Sequence, residues 1–222
     1  MRTGRVICDL PDLTVEKIGV TLCDHMATNA TLPIPDAPVD WRRAALPFGS
    51  VLVLLDDEVP VWGGIVTGAP LTTAATVSLS LATWEAYLGR RYVGDLSYIG
   101  AEQCYVAADV VLSTLDATTP LIVERTAGTT LRSISWDGSA DKTILTCLQE
   151  LSGLDQGPEW TISWRRLSSP ERYVPVLTIA DRIGTTVPAG LGPAATFEMP
   201  GPVTDFSYER DWASGGGATM VI

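Results

Sequence analysis

Basic charge is scarce in this 222-residue chain. Fifteen Lys and Arg face 26 Asp and Glu, giving a formal charge of −11 and an isoelectric point near 4.4. Phosphate affinity comes from clustered cations, so this balance argues against a protein that wraps nucleic acid. Histidine occurs once, at His25. The cysteines Cys8, Cys23, Cys104 and Cys147 contain no Cys-x-x-Cys pair, and one histidine cannot complete a zinc set at a recognisable spacing. Long apolar runs are missing too. None approaches the ~18 residues of a membrane span, and Met1–Pro11 lacks the apolar stretch of a signal peptide. The expectation is a soluble chain made inside the cell, with no membrane insertion.

The common catalytic motifs are equally absent. There is no Gly-x-Ser-x-Gly elbow, no His-Glu-x-x-His and no glycine-rich phosphate loop followed by lysine. Asp24-His25 reads as a surface or capping pair rather than half of a triad. Asp56, Asp57 and Glu58 read as solvated turn acids, and Glu85 beside Trp84 as a surface charge. The chain is therefore expected to be no enzyme, with no catalytic residue, cofactor or metal ligand assigned.

What is present is a globular composition, 46% apolar and 18% charged, long enough for one large or two modest domains. The first 80 residues read as β-structure. Strands are expected at Arg5–Leu10, Val15–Cys23, Ser50–Asp56, Val59–Thr67 and Ala75–Leu81. The last has clean period-two alternation that puts Val77, Leu79 and Leu81 on one face. Asp56-Asp57-Glu58 forms a tight turn. Gly63-Gly64 in mid-strand marks a bulge or a close approach of another backbone. The proline-rich Thr31–Pro47 reads as an extended loop.

Helices follow at Thr83–Arg90, with Thr83 as N-cap, at Ala101–Leu115, through Tyr105, Val110, Val111 and Leu115, and at Ser139–Leu151. Ser139 or Asp137 caps the last and Gly153 ends it. Cys104 and Cys147 fall on apolar helical faces, where buried free thiols are the common case; a Cys8–Cys23 bridge stays open. Trp160–Arg166 and Val174–Ala180 are strands joined by a Ser-Ser-Pro-Glu turn. Gly184–Pro202 reads as loop, and Val203–Glu209 and Ala218–Ile222 as the last strands. A strand ending at Ile222 needs a partner from the first domain or another subunit.

Seven tryptophans and three arginine pairs stand out: Arg42-Arg43, Arg90-Arg91 and Arg165-Arg166. The tryptophans are either core anchors or interface contacts, and the pairs reflect either interface ion pairs or a coding bias toward arginine. Trp41-Arg42-Arg43, in the proline-rich loop, is hard to bury within one subunit. Trp212 lies similarly in a glycine-rich region. The residues singled out for interfaces are Trp41, Arg42, Arg43, Trp62, Gly63, Gly64, Arg90, Arg91, Arg165, Arg166 and Trp212.

The segment Val59-Pro-Val-Trp-Gly-Gly-Ile-Val-Thr67, followed by Thr76-Val-Ser-Leu-Ser-Leu-Ala-Thr-Trp-Glu-Ala-Tyr-Leu-Gly-Arg-Arg-Tyr92, resembles minor tail proteins of long-tailed phages with actinobacterial hosts, the baseplate hub or tail-associated proteins. Trp62, Gly63, Gly64, Trp84, Tyr87, Leu88 and Arg91 carry the likeness. A Gly-x-x-Trp-x-Ile strand at Gly157–Ile162 and a closing Tyr-x-Arg-Asp at Tyr208–Asp211 fit the same layout.

The resemblance implies an α+β, predominantly β molecule. A tail-tube-like β-barrel over 1–92 would precede a small α/β domain with two helices over 93–172. A closing β-barrel or sheet over 173–222 would pack on the first barrel or on a neighbouring subunit. It also implies a homotrimeric ring at the virion tail tip that closes or extends the tail tube, with roles in host attachment and genome ejection. Its partners would be the distal tail protein, the tape measure protein and other tail-tip proteins, and DNA would pass without specific binding. Members are often longer, so a receptor-binding or wall-degrading module is not carried over. The alternatives are a carbohydrate-binding module that stacks exposed tryptophans on cell-wall sugars and, behind it, a cell-wall hydrolase.

Overall fold

The computed structural model describes residues 5–70, 74–116, 119–169 and 171–184. Met1–Ile183 form one compact unit and Gly184–Ile222 another. The described strands and helices all belong to the first. The expected strands at Val203–Glu209 and Ala218–Ile222, Trp212 and the Tyr208–Asp211 motif lie outside the described residues, as does the expected loop beyond Gly184.

The chain is predominantly β in an α+β arrangement. Strands β1 (Thr14–Val15), β2 (Ala27–Pro33), β3 (Val51–Asp56), β4 (Val59–Gly68) and β5 (Thr76–Thr83) form an antiparallel sheet in the order β1-β2-β5-β4-β3, curled into a half-barrel. The β3–β4 turn works because Asp57 and Glu58 both adopt left-handed backbone, at φ 43° and 67°. Inside the curl lie Leu32, Trp41, Leu52, Trp62, Val66 and, as the alternation requires, Val77, Leu79 and Leu81.

The chain then turns through the one-turn helix α2 (Glu85–Leu88). A one-turn helix α1 (Trp41–Ala44) precedes β3. Strand β6 (Leu96–Glu102) leads into α3 (Gln103–Thr114). Strands β7 (Ile122–Arg125) and β8 (Leu131–Trp136) follow, then α4 (Ile144–Ser152) and the long hairpin β9 (Glu159–Ser168) and β10 (Glu171–Ala180). β6 pairs with β8, while β10 pairs antiparallel with β9 and parallel with β7. The two longer helices pack on this layer through Val106, Val110, Leu148 and Leu151, among others. Ile65, Ala82 and Leu88 share the same apolar cluster, so the core runs on past residue 92.

Several expectations need correction. No strand forms at Arg5–Leu10, and Val15–Cys23 is strand only at Val15. Beyond it the backbone bonds to scattered partners instead of a ladder. Lys17 N donates to Thr28 Oγ1, the Gly19 carbonyl accepts from the Trp62 indole, and Cys23 N reaches the Trp160 carbonyl. Ile18, Val20 and Leu22 stay exposed despite their alternation. Thr31–Pro47 is not loop throughout: its start completes β2, and α1 sits between Pro38 and Pro47. Strands β6, β7 and β8 are additional to the sequence reading. Thr83 ends β5 rather than capping α2; its hydroxyl accepts from Met26 N. Asp137 caps a 3-10 turn over Gly138–Ala140, and Asp141, at φ 50°, breaks it, so α4 starts from Thr143. Tyr105 faces outward, since α3 buries Cys104, Val106, Ala107, Val110 and Val111.

Candidate assembly surface

Strand β4 is buried on both faces at its centre, and its glycines make that possible. Trp62, Gly64 and Val66 point into the half-barrel, whereas Gly63 and Ile65 point toward the outer layer. A Cβ on Gly63 would lie 2.3 Å from Cε2 of Trp164 on β9, so the indole of one sheet rests on the bare backbone of the other. A Cβ on Gly64 would meet the Ala82 carbonyl at 2.6 Å and the Trp62 ring. The expected close approach of another backbone is there at Gly64, from Ala82, while at Gly63 it is a side chain that approaches; the register shifts fall on either side, at Val61 and Thr67.

The other tryptophans are also internal. Trp41, Trp62, Trp84, Trp136 and Trp160 are buried, and Trp164 is half-buried under Gly63. Trp41 therefore does find cover within one subunit, in the apolar cluster that holds Ala30 and Leu32 of β2 and Leu52 of β3, with the Arg42 guanidinium 4.9 Å from its ring. Among the described residues no tryptophan offers the flat exposed face that sugar stacking needs.

The arginine pairs divide into two kinds. Arg165 bonds Glu124 at 2.8 Å, and Arg166 bridges Glu58 and Glu171, both at 2.7 Å. Arg90 lies 3.9 Å above the Phe48 ring, and Arg91 lies over Tyr87 while also donating to its hydroxyl. Arg42, Arg43, Arg90 and Arg91 are all exposed.

Strand margins decide what can add to these sheets. The first part of the outer edge of β9 is covered by its own chain. Cys23 bonds both the carbonyl and the N–H of Trp160, and Glu85 Oε1 accepts from Ile162 N at 3.2 Å. Cys23 is thus an edge plug and not a disulfide half; all four cysteines are free. Glu85, expected at the surface, is 1% exposed, and burial pushes its carboxyl up. The outer edge of β3 pairs with nothing among the described residues, leaving a six-residue margin open.

Glu102, Cys104 and Asp181 bring possible metal donors within 4.8 Å of one another. Their atoms are committed to the fold. Glu102 caps α3 by accepting from Cys104 N and Tyr105 N and also pairs with Arg125. Asp181 accepts from Gln103 and Thr129, which hold it below the usual carboxylate range. Glu102→Ala should cost about 1 kcal/mol, the usual loss for a helix cap, as read by urea unfolding. Burial pushes the thiols of Cys104 and Cys147 up to about 12. In the native chain a thiol reagent should modify Cys8 and Cys23, reaching the other two only after unfolding. An open groove of about 470 Å³ lies among Cys23, Gln149, Gly153, Glu159 and Arg182. Its one acid, Glu159, is held by Ile183 N and Arg182. Asp24 and His25 form an exposed pair at 3.0 Å, with Gln149 on the same carboxylate.

No protein-family model and no curated protein matches this chain. Among solved structures, it aligns with an E. coli component of the type VI secretion system described as structurally similar to the T4 bacteriophage tail proteins gp27 and gp5. The identity is 12% and the TM-score 0.45, over 76% of this chain and 48% of that one. The chain thus spans about half the length of that structure.

Proposed function

We propose that this chain is a structural protein of a phage tail tip, a baseplate hub or minor tail protein. In this reading it forms a homotrimeric ring that closes or extends the tail tube, and it takes part in host attachment and genome ejection. It carries out no covalent chemistry. After synthesis in the host cytoplasm it resides at the virion tail tip, in contact with the distal tail protein, the tape measure protein and other tip proteins.

The observation that carries the reading is a half-barrel with a β3 margin that is unpaired among the described residues, whose strand β4 holds Trp62-Gly63-Gly64 and whose β5 leads into the Trp84-Tyr87-Leu88 turn of α2. A sheet whose edge is uncovered can be completed by a neighbouring chain, and repetition of that contact about an axis gives a ring. The acidic balance supports the same reading, because DNA can pass a negative wall without sticking. The native mass of the full chain, alone and mixed with the distal tail protein, tests it. A three-copy complex is expected in at least one condition. A monomer in both removes the ring.

A further inference from the structure

Acidic partners do not reach every arginine of this chain of 26 acids and 15 bases; Arg132, for one, bonds Gln103 and the Asp155 carbonyl, and four others without a carboxylate lie together. Arg125, Arg165, Arg166 and Arg182 each pair with a glutamate, and Lys142 pairs with Glu150. Arg42, Arg43, Arg90 and Arg91 meet no carboxylate among the described residues. Three of these guanidiniums lie instead on aromatic faces, those of Trp41, Phe48 and Tyr87. Stacking fixes the plane of a guanidinium and leaves N–H edges free for a carboxylate from outside.

These residues share one end of the β3–β4 hairpin. Phe48, which carries Arg90, donates its N–H to the Val66 carbonyl near the end of β4, and Ser50 Oγ ties the loop before β3 back to the Arg43 carbonyl. Asp40 stands at the start of α1, and it and Asp9 both act on Cys8, so the four arginines outnumber these two acids. The opposite end of the hairpin is its turn, Asp56-Asp57-Glu58. Arg166 answers only Glu58 there, and Glu171 shares that arginine. Apolar shoulders flank both ends, Leu46 at the basic one and Leu55, Val59 and Val61 at the acidic one, all exposed. Five residue steps along β3 separate the two ends by about 17 Å.

We propose that the basic end of this hairpin, Arg42, Arg43, Arg90 and Arg91, receives the Asp56-Asp57-Glu58 turn of a second copy. The two patches differ, so the contact is head-to-tail and propagates to a closed ring or a filament. Opposite charge steers the encounter and selects the register, while the apolar shoulders supply contact area. The inference rests on the ring reading above and names the surfaces that make it.

Sedimentation of the full chain at low and high salt tests this, with melting curves as the control for folding. Wild type should associate at low salt, and less as salt screens the contact. Arg90→Glu with Arg91→Glu should weaken association by more than about tenfold, which is ~1.4 kcal/mol. Arg90→Gln with Arg91→Gln, should the reversal fail to fold, should weaken it in the same direction. Asp56→Arg with Asp57→Arg should weaken it alone and recover mixed pairs with the Arg90→Glu, Arg91→Glu chain, whereas a ring of three, which cannot alternate two chains, should stay open. Wild-type association that survives both arginine changes overturns the inference and leaves a ring built through other surfaces. A wild type that stays monomeric at low salt, or that binds a short DNA duplex through these arginines without self-association, overturns it as well.

Discussion

Gly63→Ala should destabilise the chain strongly, and removal of one distant ring should cancel most of that effect. The new methyl would sit 2.3 Å from Trp164 Cε2 and 2.4 Å from its Nε1, well inside contact distance. Neither partner can yield freely. Gly63 lies in a strand paired on both sides, and Trp164 sits in the long β9–β10 ladder. Overpacking of this kind costs ~1–3 kcal/mol or more. Trp164→Ala alone should also destabilise, by loss of ring burial. The double variant should be little worse than Trp164→Ala alone, because the clash is gone, and this is a large coupling in a double-mutant cycle. Urea unfolding of the four chains reads it. Additive losses would mean that the two sheets do not meet at this point.

Glu85→Gln should raise stability at neutral pH. The wild-type carboxyl is 1% exposed; one oxygen accepts from Ile162 N, and the other has no partner. Burial is the leading cause of its raised pKa, opposed by the Thr83 hydroxyl, backbone N–H groups and the more distant His25. A raised folded-state pKa means that the native chain keeps a proton the unfolded chain has released. Stability is therefore full below the ordinary carboxylate value near 4.5. It falls as pH rises from there through the folded value, and the deficit then stays constant. An amide carries no charge to bury and still offers an oxygen to Ile162. The gain should approach the ~1–3 kcal/mol cost of an unsatisfied buried group at pH 8, and it should fade by pH 4. A pH-independent gain, or a loss at pH 8, would show that the carboxylate is solvated or paired.

Much of the half-barrel could be read from residue order alone because β3 and β4 carry apolar runs with a turn between them and β5 alternates apolar and polar residues. Their bounds shifted by only a residue or two. Strand β2 escaped notice because its buried residues, Thr28, Ala30 and Leu32, are small or sit next to prolines and give little hydrophobic contrast. Strands β7 and β8 are short, and β6 is interrupted at Gly100, which adopts φ 58° where the register shifts. Periodicity misled at Ile18, Val20 and Leu22, since alternation shows that a strand could form and not that a partner strand is there to receive it.

The candidate surface was legible in composition but not in placement. The arginine pairs could be seen, but which of them had acids to answer them depended on contacts between residues far apart in sequence. Arg166 with Glu58 is one such contact. Glu85 and Cys23 gave no hint of their work, because covering a strand edge depends on what the fold brings alongside. Trp41 looked like an outward contact only because the short α1 that turns it inward was not evident among the prolines.

Residence at the tail tip is the central claim. Electron microscopy of phage particles that carry a labelled version of the full chain tests this directly. Label confined to the tail tip, at the end remote from the head, is the expected result. Label spread along the tail or on the head, or particles that carry none, would contradict it.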